Sequence, residues 1–174
     1  MRVFVVILFL FFSFSKAFAL EIRSLVLVFT KSKKVITSVY LKKVPFQLLD
    51  ACLKSGDSPI KFQYDFKIYR HRFLLPDVLK FEKQVIVKVR YDKEKNLYVV
   101  NLGRWKWNFY KPERALLKAC KIDSLYLPYF LNGKDEYYLK VEAIIQFKCH
   151  LTEELDYREG LNSYEFSAEA SSSL

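Results

Sequence analysis

"IKFQYDFKIYR", residues 60–70, decides the fold. Ile60, Phe62, Tyr64, Phe66 and Ile68 alternate with Lys61, Gln63, Asp65, Lys67 and Tyr69. A period of two puts apolar side chains on one face of a strand and polar ones on the other. The pattern recurs at Val85, Val87, Val89 and Tyr91, with Lys88 and Arg90 outward, and again from Tyr137 to Phe147. Ser24–Thr30 and Val35–Leu41 are rich in β-branched and aromatic residues, as strands are. "DKEKN" (92–96) turns the chain into Leu97–Leu102, and Asn132-Gly133 is a further turn signal.

Two short helices interrupt the strands. The first begins at Pro45, carries Phe46, Leu49, Cys52 and Leu53 on one face, and stops at Gly56. The second begins near Pro112, with Leu116, Leu117 and Cys120 on one face. Glu113 in its first turn and Lys118 in its last suit the helix dipole. "LLDAC" (48–52) and "LLKAC" (116–120) sit alike in a strand-strand-helix-strand order, which suggests an internal repeat. The predicted fold is α+β: a mainly antiparallel sheet of about seven strands with two helices on one face.

Residues 1–19 read as a signal peptide. Met1-Arg2 is a positive start, Val3–Phe14 is apolar but for Ser13, and Ala17-Phe18-Ala19 offers the small residues of a cleavage site. The chain is therefore expected to be periplasmic or secreted, the alternative being an inner-membrane anchor left uncleaved. Loss of Arg2 and Lys16 takes the formal charge from +10 to +8. From His150 onward one base, Arg158, faces six acids, a net −5, so residues 20–149 carry +13. A single domain is predicted over 20–155, with an acidic, Ser-rich tail over 156–174 that lacks regular structure.

A basic protein outside the cytoplasm points to anionic lipid, acidic glycan or an acidic protein, and not to nucleic acid. Cys52, Cys120 and Cys149 permit one disulfide at most, and their apolar-facing positions predict buried thiols. Neither cysteines nor histidines have zinc spacing, and no phosphate-cradling glycine loop or nucleophile elbow occurs. Neither cofactor nor metal is expected, nor is the chain expected to be an enzyme.

Two stretches remain. "KIYRHRF" (67–73) ends the cleanest amphipathic strand, and Lys67, Arg70, His71 and Arg72 with Lys88 and Arg90 would make a basic sheet face. "GRWKWNFYK" (103–111) places Trp105, Trp107 and Phe109 on one strand face, there to pack under the helical layer or to hold an apolar ligand.

The run of "LEIRSLVLVFT", "VPFQLLDACLKSGDSPIKFQYDFKIYRHRF", "VKVRYDKEKNLYVV", "YKPERALLKAC" and "DEYYLKVEAIIQF" resembles the bacterial secreted proteins grouped as domain of unknown function 4390. The resemblance covers about residues 20–150 and implies an exported, envelope-associated protein with a membrane sensor kinase as a partner; it implies no catalytic residues. The expected function is that of a non-catalytic envelope module contacting an anionic partner, an envelope protein or a membrane surface, through the basic face. The alternative is a carrier of a small apolar or lipid ligand held between sheet and helices by Trp105, Trp107 and Phe109.

Overall fold

The computed structural model describes residues 20–29, 34–55, 58–131, 135–149 and 162–173. The predicted leader, the turn residues Asn132-Gly133 and the helix stop at Gly56 lie outside these.

Among the described residues, nine strands form two antiparallel sheets. The smaller sheet has the order β1-β2-β7, from β1 (Glu21–Phe29), β2 (Lys34–Lys42) and β7 (Lys121–Phe130). The larger has the order β6-β5-β4-β3-β8-β9. Its members are β3 (Ile60–Arg70), β4 (Val78–Asp92), β5 (Leu97–Leu102), β6 (Trp105–Phe109), β8 (Tyr137–Cys149) and β9 (Asn162–Ser173). Helix α1 (Phe46–Ser55) carries the chain from the small sheet to the large one, and α2 (Pro112–Ala119) carries it back. The sheets meet where β1 runs beside β9 and where β7 lies against β4. At the latter margin Lys83 Nζ donates to the Tyr126 carbonyl at 3.0 Å, and the Phe81 and Tyr129 rings lie 6.1 Å apart.

The α+β class holds, with two strands more than expected. Strand β7 escaped because its period breaks: Ile122 and Leu127 are both buried although five residues apart. Ser124, at φ 50°, and a register shift against Thr37–Val39 absorb the odd residue. Pro128 is tolerated there because β7 is a sheet edge. The predicted unstructured tail is corrected over Asn162–Ser173, which forms β9 against the whole of β8, so that the sheet reaches past the expected end of the domain. Its serines and alanines lack the bulk that marks a strand, and pairing through the backbone is what places it.

Strand β3 lies between β4 and β8, with Phe62, Tyr64 and Phe66 fully buried. The helices press on its inner side through Leu49, Cys52 and Leu53 of α1 and Ala115, Leu116 and Ala119 of α2. Leu117, expected on that face, instead points outward. Cys52 and Cys149, expected as thiols, form a disulfide joining α1 to the end of β8, while Cys120 stays free and buried. The bridge closes a loop of 97 residues and so removes much of the unfolded chain's freedom. Replacing both cysteines by alanine should lower the free energy of unfolding by about 2–5 kcal/mol. Urea melts of the native and doubly substituted chains would show it, and a reductant should shift only the native one.

Candidate functional site

Strands β5 and β6 form a hairpin through Gly103-Arg104, with Gly103 at φ 55° in the left-handed region that glycine adopts freely. Its register sets Trp105 opposite Leu102, Trp107 opposite Val100 and Phe109 opposite Tyr98. The three aromatics therefore share the face of buried Tyr98 and Val100, toward α2. Phe109 and Trp107 are half-buried against the core, while Trp105 is 58% exposed.

The covering layer is short here. Helix α2 ends at Ala119, and the space between β4–β6 and the start of β7 is left as an open groove of about 870 Å³. Val85, Val87, Val100, Leu102, Ile122 and Leu125 make its floor, and Trp105 and Trp107 a wall. Lys83, Arg104, Lys118 and Lys121 rim it, with Asp123. Lys121 is paired to Asp123 at 3.0 Å, and Lys83 is engaged by the Tyr126 carbonyl. Lys118 Nζ instead stands 4.6 Å from the Trp107 ring centroid and the Arg104 guanidinium 5.4 Å from that of Trp105. Among the described residues neither has a carboxylate in ion-pair range, so both cations are held by indole faces and remain open to an anion. An apolar trough of this volume suits a small ligand.

The six basic residues expected to act together divide. Lys67 is taken up by Glu142 at 2.9 Å and reaches Glu82 at 3.9 Å. Arg70 pairs with Asp135 at 3.6 Å, and His71 Nδ1 lies 3.1 Å from Asp77 Oδ1. The Arg72 backbone N–H donates to the same Asp77 oxygen at 3.1 Å. Lys88 and Arg90 stand apart and exposed: Lys67 faces Glu82, six residues up β4 from Lys88, or about 20 Å at strand spacing. There Lys88 joins Lys61 on β3 and, through Asn101, Lys106 on β6 in one cross-strand row. Periodicity showed which residues face outward but not which carboxylates lie beside them.

Hydrogen bonds between charged and polar groups perturb several titrations around the outer sheet face. Glu142 accepts from Lys67 and from Lys140, and these hydrogen bonds hold it below its ordinary range. Hydrogen bonds from Lys140 to Glu169 and to Glu142 push Lys140 up to about 12. Asp77 is lowered first by the Tyr138 hydroxyl, then by the Arg72 N–H and by His71. Burial pushes the Cys120 thiol up to about 12, which leaves it inert at neutral pH. Among the described residues no cluster of three metal-ligating side chains occurs.

Compared with known proteins, the chain matches no family model, no curated protein and no solved structure.

Because Glu142 titrates lower in the folded chain than in the unfolded one, its ionised form stabilises the fold at neutral pH. That contribution drains away as pH falls through the folded value. Denaturant melts stepped toward acid should show falling stability. Glu142→Gln should be the weaker fold at neutral pH and lose less on acidification.

Proposed function

We propose that the protein is an exported, non-catalytic binding module whose groove takes an amphipathic anion, an acyl-like tail with a negatively charged head. The observation that carries this reading is the pairing of an apolar floor with two carboxylate-free cations, Arg104 and Lys118, each resting on an indole. The tail would displace water from Val85, Val87, Val100 and Leu102, and each buried methylene contributes about 0.8 kcal/mol. The head would meet Lys118 and Arg104 at the rim. Of the three aromatics proposed as ligand-holding, Trp105 and Trp107 line the groove, and Phe109 backs the same strand face. The Cys52–Cys149 disulfide supports an oxidising compartment, in keeping with the leader at residues 1–19 and the likeness to secreted proteins.

Calorimetric titration with dodecyl phosphate should give saturable binding, and native mass spectrometry of protein recovered from its own envelope should show a bound anion. Lys118→Ala should weaken dodecyl phosphate about tenfold, or ~1.4 kcal/mol, and leave dodecanol unchanged. Equal affinity for the alcohol and the phosphate, or no saturation with either, would sink the reading.

A second reading, contact with an acidic partner, is favoured by the exposed row Lys61, Lys88 and Lys106 with Arg90 nearby. Charge reversal of Lys61 and Lys88 should bring the protein off immobilised heparin at lower salt than reversal of Lys42 and Lys111, which are exposed elsewhere.

A further inference from the structure

The connection between β3 and β4 displays three consecutive large apolar side chains to solvent. Phe73 is 84% exposed, Leu74 88% and Leu75 61%. Single exposed apolar residues are ordinary, but an unbroken trio at a hairpin tip is not.

The tip is held in shape. Leu74 adopts φ 63°, which a branched side chain enters only at a cost. Behind it, Asp77 gathers the turn: Oδ1 accepts from the Arg72 N–H and faces His71 Nδ1, both at 3.1 Å, and Oδ2 accepts from the Tyr138 hydroxyl at 2.9 Å. The His71 N–H donates to the Glu136 carbonyl at 2.9 Å, tying the loop to the approach to β8. Tyr69 and Tyr138 stack at 5.3 Å beneath it, the residue type that concentrates at the headgroup level of bilayers. Around this base Arg70, Arg72 and Lys80 are offset by Asp77, Asp135 and Glu136, so the apolar residues and not net charge would dominate contact.

We propose that Phe73, Leu74 and Leu75 form a wedge that enters the interfacial layer of a phospholipid bilayer, with Arg72 and Lys80 at the level of the phosphates. A bilayer fits better than a folded partner, because a stable protein interface buries about 800 Å² on each side, far more than three side chains on a narrow tip can offer. A fluid acyl layer accepts a small wedge without matching its shape. The wedge is independent of the groove, since it needs none of the groove's residues.

The test is to carry an environment-sensitive fluorophore on Phe73→Cys in the full chain. Cys120 is buried and the other two cysteines are bridged, so the introduced thiol takes the label. Lys95→Cys, in the turn at the opposite end of β4, is the control. With vesicles of phosphatidylglycerol and phosphatidylethanolamine, the label at 73 should shift to the blue and become at least several-fold less quenched by iodide. The label at 95 should not change. Adding Leu74→Ser and Leu75→Ser should abolish the response at 73 while circular dichroism stays native. Equal iodide quenching at 73 with and without vesicles overturns the wedge. So does a blue shift that needs no vesicles and grows with protein concentration, which would assign the tip to a second copy of the chain.

Discussion

The phenol of Tyr64 lies fully buried beneath the helices and donates a 2.6 Å hydrogen bond to the carbonyl of Ala119, the last residue of α2. A buried hydroxyl without a partner would cost several kcal/mol in an apolar medium, and a helix's last carbonyls have none of their own within the helix. One bond settles both debts. It also pins the end of α2 over the central strand of the large sheet, and the next carbonyl, of Cys120, accepts from the Leu41 N–H of β2. The chain leaving α2 is thereby delivered to the edge of β2, where β7 pairs. The floor and rim of the groove follow from this. Were α2 a turn longer, or its end free to slide, Lys118 would not stand over Trp107 and Ile122 would not line the groove together with Val87.

How much of this could be read beforehand depended on whether a period survived intact. Strands β3, β4 and β8 keep a period of two for most of their length, and apart from Asp65, an outward position that is nonetheless buried, their buried residues are the ones the alternation names. Strand β7 was hidden by its bulge, and β9 by residues too small to carry a hydrophobic signal, although each pairs along most of a neighbour. The aromatic face of β6 was legible as a face, and its position at the sheet edge was not. That position alone makes Trp105 a groove wall and not a core residue. The pairing of Cys52 with Cys149 joins positions 97 residues apart, and only the packing of α1 beside β8 brings them together.

Charge shows the same limit. A chain of net +10 invites the reading of one large basic face, yet the lysines and arginines of β3 and β8 are interleaved with Glu82, Asp135, Glu142 and Glu169. Surface pairs of this kind add little stability. Their effect is to remove cations from those an outside anion can meet. Among the described residues, a row at one end of the large sheet and two cations at the groove keep no carboxylate partner, and there the excess charge is gathered where it can act.

Strand β4 connects the two proposed binding features. It leaves the wedge at Val78 and reaches the groove at Lys83, five residues on, about 16 Å along an extended strand. The cationic row lies farther along, from Lys88. A protein that met a bilayer tip-first would therefore hold the groove near the surface and turn Lys61, Lys88 and Lys106 away from it. On this geometry the row cannot serve the same membrane as the wedge. The basic end would face an acidic partner, while the apolar end faces lipid and the groove lies between them.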